Sequence, residues 1–177
     1  MRFKTILADP PWQYKNERTG FQMESSAVQK YPVISLEKLK TFPINELVDK
    51  DCILWLWATV PLLPEALELM KAWGFKYKTA IFWRKIMSLG MGFWFRGQVE
   101  MLLLGIKGKI KAFRYQRANF LQTKVRAHSE KPIEIYALIE PVSPKPRLEL
   151  FARRKRIGWY CWGNEIESDI EINFKGE

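Results

Sequence analysis

Short apolar runs alternate along the chain with segments whose apolar residues recur every three to four positions, and that alternation restricts the fold to an α/β sheet with helices packed on it. "TILAD", "DCILWLWAT", "KTAIFWRK", "EMLLLGIKG", "RLELFAR" and "IGWYCWGNE" are the six candidate strands, rich in Ile and aromatic residues. Between the second and third, "PLLPEALELMKAWG" sets Ala66, Leu69, Met70 and Trp73 on one helical stripe, with Glu65, Glu68 and Lys71 off it. Its prolines stand at the start and Gly74 after the end, as helix termini prefer. "SEKPIEIYALIEPVS" predicts another helix, with Ser129 as N-cap and Ile135, Leu138, Ile139 and Val142 as the buried stripe. A short helix from Ser35 stops near Pro43. Residues 13–34 and 107–128 read as long loops, which inside a compact domain serve binding or lid movement. No repeat or linker divides the chain, so a single domain over residues 1–177 is expected.

The composition, 47% hydrophobic and 27% charged, is that of a globular chain rather than a disordered one. No apolar run is long enough to span a bilayer and the N-terminus has no signal-peptide pattern, so a cytoplasmic location and no membrane partner are expected. Cys52 and Cys161 are each embedded in apolar sequence and read as core fillers. With one histidine and no Cys-x-x-Cys, no metal site is expected. A formal net charge of +10 attracts polyanions. Its basic residues gather in Lys107, Lys109, Lys111, Arg114, Arg117, Lys124 and Arg126, and again in Arg153, Arg154, Lys155 and Arg156. Phe113, Tyr115 and Phe120 interleave with the first set, which favours nucleic acid over a merely solubilising surface, because bases stack on such rings.

The run "ILADPPWQY" ends the first candidate strand in an acid, two prolines and a tryptophan. Ligands of open α/β sheets bind at the carboxyl ends of strands. Such a turn suits methyl transfer to the exocyclic amine of adenine, whose lone pair is delocalised into the ring. A site that accepts both N–H bonds favours a tetrahedral nitrogen with its lone pair turned outward. The Asp9 carboxylate can accept one bond and the Pro10 carbonyl the other. Pro10 and Pro11 have no N–H and stiffen the turn, and Trp12 offers a flat face for the base.

Over nearly its whole length the sequence resembles the MT-A-seventy family of S-adenosylmethionine-dependent adenine N6-methyltransferases. The resemblance is carried by "ADPPW", "ILWLWAT", "AWGFKYKTAIFWRK", "GFWFRGQVEMLLLGIKGK", "VRAHSEKPIEIYALIE", "PRLELFARR" and "WGNEIE". It implies an α/β, Rossmann-like methyltransferase fold with a mixed central sheet flanked by helices, and with the catalytic motif first, in permuted order. It further implies Asp9, Pro10, Pro11 and Trp12 as the catalytic group, and S-adenosylmethionine as cofactor, with S-adenosylhomocysteine as product. The cofactor contacts would be Asp9, Ser129, Lys131, Leu150, Phe151, Arg153, Asn164 and Glu165. Tyr31 matches a tyrosine of the loop after the motif, and Glu100 a glutamate near the substrate adenine. From the two long loops, Tyr14, Lys15, Arg18, Lys109, Arg114 and Arg117 join Arg96 as candidate substrate contacts. His128 reads as structural.

Some positions depart from the family's pattern. "FARRKRIG" stands where permuted DNA methyltransferases carry a glycine-rich loop, which suits a ligand without a phosphate. Glu130 stands where eukaryotic members have histidine, and this sequence starts at the catalytic strand where larger members have preceding material. DNA is the expected substrate, with RNA or a non-catalytic nucleic-acid-binding role as the alternatives. By the same analogy "GMGFWFRGQ" is a candidate protein interface, and a homodimer the candidate assembly.

Overall fold

A computed structural model of the chain describes residues 1–13, 33–86, 94–125 and 130–174. Its strands are β1 (Phe3–Ala8), β2 (Val48–Thr59), β3 (Lys76–Ile86), β4 (Val99–Lys107), β5 (Phe120–Lys124), β6 (Arg147–Leu150) and β7 (Tyr160–Trp162). Its α-helices are α1 (Leu36–Lys40), α2 (Ile44–Leu47), α3 (Leu63–Ala72) and α4 (Glu134–Ile139). The strands form one mixed sheet in the order β5-β3-β4-β2-β1-β6-β7. β1, β2, β6 and β7 pair in parallel, as do β3 and β5, and β4 is antiparallel to both β2 and β3. Every strand except β4 therefore points the same way.

Both faces of the central strands are covered, which is why the sequence shows continuous apolar runs instead of polar alternation. Cys52, Leu54, Leu56 and Ala58 of β2 face one core with Leu39 of α1 and Ala66, Leu69 and Met70 of α3. Ile53, Trp55 and Trp57 face the other, with Ile135 and Ile139 of α4. Cys52 and Cys161 are free and buried, as their apolar surroundings predict.

The helix read from Ser35 is present, capped by the Ser35 hydroxyl accepting from the Lys38 N–H at 3.3 Å. The α3 stripe is buried as predicted, and Gly74 ends it at φ 81°, a left-handed value that glycine adopts without strain. Two expectations change. The segment 107–128 is not loop throughout: Phe120–Lys124 forms β5 at the edge of the sheet. Its side chains alternate exposed and half-buried, so it lacks the apolar run that marks the central strands. The helix read from Ser129 begins at Glu134, after a non-helical stretch containing Pro132. Lys131 consequently precedes the helix and is free to reach the sheet.

The chain leaves β1 through α1 and α2 on the first face and enters β6 from α4 on the opposite face. The crevice at the carboxyl ends of β1 and β6 is thus the point where the sheet changes its winding, the usual ligand site of such sheets. Close approach seals its far side. A Cβ on Gly163 would lie 2.1 Å from the Ala152 carbonyl oxygen and 2.8 Å from its nitrogen, both backbone atoms that cannot step aside. Gly163→Ala is expected to lose about 1–3 kcal/mol of stability, measured by urea denaturation, as the segment after β7 is pushed off β6. An unchanged midpoint would show that the two backbones separate freely.

Candidate active site

Asp9 follows β1, and its N–H donates to the Leu150 carbonyl at the end of β6 at 3.5 Å. Beyond it the two prolines cannot donate, and the turn is tied by its remaining groups. The Trp12 N–H donates to the Pro10 carbonyl at 2.9 Å, and the Ile34 N–H to the Pro11 carbonyl at 2.8 Å. The Trp12 indole N–H donates to the Trp57 carbonyl on β2 at 3.1 Å, and the residue is only 9% exposed. A ring held in this way braces the turn rather than offering a face to a base.

Because β4 is reversed, its first residues lie beside the last residues of its neighbours. Glu100 pairs with Thr59 of β2 and Trp83 of β3. The Lys131 ammonium joins these elements: its Nζ lies 2.8 Å from Asp9 Oδ2, 3.4 Å from Glu100 Oε2 and 5.5 Å from the centre of the Trp57 ring. Glu100 Oε1 also accepts from Lys85 of β3, whose ammonium lies 5.2 Å from the Trp83 ring. Charges therefore alternate along a row, Lys85, Glu100, Lys131, Asp9. Burial alone would lower the Lys131 pKa, but Asp9 and Glu100 outweigh it and hold the ammonium above the ordinary lysine value. Burial likewise pushes Glu100 up, and Lys131 and Lys85 reverse it, so its carboxyl stays below the usual range. One oxygen of Asp9 is thus held by a permanent cation. The other, Oδ1, has no hydrogen bond among the described residues.

Around the carboxyl ends of β6 and β7 lie the residues expected to face a cofactor. Leu150 is fully buried, and Phe151 turns the chain sharply at φ 60°, an uncommon value for a side chain of that size. The Phe151 ring packs 5.7 Å from Phe42 and 5.6 Å from Trp162, which anchors the turn. Arg153 Nε lies 3.5 Å from Glu165 Oε1, and Asn164 and Glu165 are exposed just after β7. An ammonium, a guanidinium, an amide and a carboxylate at the same end of the sheet suit a ligand with an amino-acid end and a sugar bearing hydroxyls.

Residues 3–165 match the MT-A70 family model. The chain belongs to the MT-A70 family. A Type II methyltransferase, M.MunI, of Mycoplasma sp is 36% identical over 99% of this chain and 83% of its own length. An N(6)-adenosine-methyltransferase MT-A70-like protein of Arabidopsis thaliana is 30% identical over 97% of this chain and 25% of its own. The human N(6)-adenosine-methyltransferase catalytic subunit METTL3 is 29% identical over 98% and 31% respectively. This chain thus spans most of the Mycoplasma relative, but only about a quarter to a third of the plant and human ones. The mixed sheet with its one reversed strand is the Rossmann-like methyltransferase fold expected of an MT-A70 member.

Within this family member, Asp9, Glu100 and Lys131 meet, and Leu150, Phe151, Arg153, Asn164 and Glu165 share the same end of the sheet. Lys109 does not. It lies at the opposite end, its N–H donating to Asp51, and from Glu100 the strand runs about 24 Å before reaching it. Arg114, at φ 50°, and Arg117 lie on the exposed connection from β4 to β5, with Phe113 turned inward 6.3 Å from Trp55. Arg96 is exposed four residues before Glu100. Tyr14, Lys15, Arg18, Tyr31, His128 and Ser129 lie outside the described residues. The run 153–156, which reads as a basic patch, is neutralised residue by residue: Arg153 pairs with Glu165, Arg154 with Glu130, Lys155 with Asp169 and Arg156 with Glu140.

Two groups at this end of the sheet were missed by the sequence reading. Lys85 carries no signal in "FWRK" that sets it apart from its basic neighbours. Glu149 does carry one, as an acid between Leu148 and Leu150 in a strand covered on both faces. Its Oε2 accepts from the Tyr136 hydroxyl at 2.8 Å. Burial, with help from the nearby Asp9 charge, pushes its pKa up to about 7 against the bond from Tyr136.

Proposed function

We propose that this protein transfers a methyl group from S-adenosylmethionine to the exocyclic amine of adenine in DNA. The observation that carries the reading is Asp9 at the switch of the sheet, one oxygen fixed by Lys131 and the other unpaired among the described residues. Membership of the MT-A70 family and the methyltransferase names of the relatives support the chemistry.

The charged and polar groups in the crevice fit the cofactor. Lys131 would serve its carboxylate, Glu165 and Asn164 its ribose hydroxyls, Arg153 and Phe151 the wall around its adenosine, and Leu150 the apolar floor. When bound, S-adenosylmethionine supplies a methyl on a sulfonium, already a good leaving centre. Asp9 Oδ1 and the remaining lone pair of the Pro10 carbonyl accept the two amine N–H bonds and hold the nitrogen with its lone pair outward. As the nitrogen takes the methyl it becomes positive, and the fixed negative charge of Asp9 in a water-poor corner stabilises that change. The surplus proton then passes from the cationic nitrogen through its hydrogen-bond partner, Asp9 Oδ1, to water, so no strong base is needed. Positioning supplies most of the rate. Glu100, between Lys85 and Lys131, keeps the row neutral and holds Lys131 in place beside Asp9.

The preference for DNA rests on the fuller coverage of the Type II methyltransferase than of the adenosine methyltransferases, while a net charge of +10 suits either polyanion. Those adenosine relatives favour RNA as the second reading. Tritiated-methyl incorporation into matched DNA and RNA oligonucleotides of the same adenine content separates them. Incorporation into DNA is expected to exceed that into RNA. The reverse order would move the substrate to RNA, and incorporation into neither would overturn the methyltransferase reading.

A further inference from the structure

Trp94 and Phe95 are 94% and 90% exposed, the most exposed aromatic rings among the described residues. Two neighbouring rings of that size, each able to bury about 150–250 Å², are seldom left in water without a partner. They precede β4, and that places them. Gln98 accepts from the Lys85 N–H at 2.8 Å, Val99 pairs with Arg84, and Glu100 belongs to the row that ends at Asp9. Glu100 lies six positions after Trp94, so the Trp94 backbone stands within about 20 Å of that of Glu100 along the chain. Arg96, exposed, is the next residue, and the chain as a whole carries +10.

The row itself is recessed. The Glu100 side chain is 11% exposed and that of Asp9 26%. A base inside a duplex cannot reach such a carboxylate while stacked, and must swing out of the helix. The vacated position is a slot between two flat base pairs, apolar on both faces and rimmed by phosphates. An aromatic ring beside a guanidinium matches that slot in shape and in charge. A second copy of this chain matches it less well, because it would bring the same +10 to the contact.

We propose that Trp94 and Phe95 form a wedge that enters duplex DNA where the target adenine leaves, with Arg96 on the flanking phosphate. The inference rests on the methyltransferase reading and adds that the substrate is double-stranded. The rings fill the gap and slow its reclosure while the base is held at Asp9. A strand without a stacked partner offers no gap, so the wedge is irrelevant to it.

The test compares unmethylated genomic DNA with the same DNA denatured by heat, by tritiated-methyl incorporation, for the native chain, the Trp94→Ser/Phe95→Ser double variant and a Trp94→Tyr variant. The double variant is expected to lose about tenfold or more on native DNA, the loss of one or two stacking contacts, and less than about threefold on denatured DNA. Trp94→Tyr is expected to keep most of the activity on both. Equal losses on the two forms, or no loss on native DNA, would overturn the wedge. So would a native chain that methylates only denatured DNA, although the methyltransferase reading would then stand. A native chain inactive on both would defeat that reading instead. Light scattering of the double variant adds a separate check. If the native chain is a dimer and the variant a monomer, the rings are an interface and the wedge is overturned.

Discussion

If the proposed methyl transfer is right, replacing Asp9 by asparagine is expected to lower its turnover by about 10²–10³-fold, the loss seen when one preorganised polar contact to a developing charge is removed. Asparagine keeps the shape and one carbonyl acceptor, so the adenine amine is still received. What disappears is the fixed negative charge that accompanies the nitrogen as it becomes cationic. The change also strips Lys131, 2.8 Å away, of one of its two acid partners, leaving Glu100 at 3.4 Å. A thermal melt separates the two consequences: a folded but inactive variant locates the loss in the chemistry. Because the interaction strengthens in the transition state, the fall should appear in kcat more than in KM. A folded Asp9→Asn protein with turnover within about threefold of native would remove Asp9 from the catalytic role.

Glu149 should impose a pH dependence on stability that a glutamine at the same place abolishes. The carboxyl keeps its proton to about pH 7 in the folded chain, against 4.5 for an ordinary glutamate. Below the lower value both folded and unfolded chains are protonated, and the group contributes no dependence. Between the two values the folded chain alone holds the proton, so stability falls as pH rises. Above the upper value both states are ionised and the cost is complete, about 3 kcal/mol. The groups that face it are Tyr136, Arg156 and Asp9. Glu149→Gln keeps an acceptor for the Tyr136 hydroxyl while placing an amide in the interior, which offsets part of the gain. The variant should therefore match the native chain near pH 4.5 and be about 2 kcal/mol more stable near pH 8, read from urea denaturation across the range. Parallel stability profiles for the two proteins would show that Glu149 titrates normally.

The strands that build the sheet centre were readable because the stretch of a strand covered on both faces must be free of polar side chains, and 6–8 of β1, 52–58 of β2 and 101–106 of β4 are. The α3 stripe was readable for a similar reason, since its period of 3.6 residues records the one face it buries. β5 was not. As a short edge strand it buries little, and its pattern resembles that of an exposed loop. The start of α4 was misread because Ser129 is a good cap by its chemistry, while Pro132 delays the helix to Glu134.

The turn of Asp9, Pro10, Pro11 and Trp12 could be located from letters alone, because proline chemistry and the end of an apolar run are local properties. The partners of Asp9 could not be derived that way. Lys131 lies 122 positions away, and no periodicity connects the two. What brings Glu100 to Asp9 is the reversal of β4, which sets the first residues of that strand against the last residues of β2 and β3. The same reversal sends Lys107 and Lys109 to the other end of the sheet, so a basic stretch that looks continuous in sequence does not gather around the site. Pairing along 153–156 works likewise, since each cation meets an acid from a different part of the chain. The amino-acid sequence by itself determined the kinds of strand and helix, the proline-braced acid and the excess of positive charge, because each depends on neighbours along the chain. Strand direction and long-range pairing decided which charges meet, because electrostatic partnership depends on distance in space and not on separation along the chain.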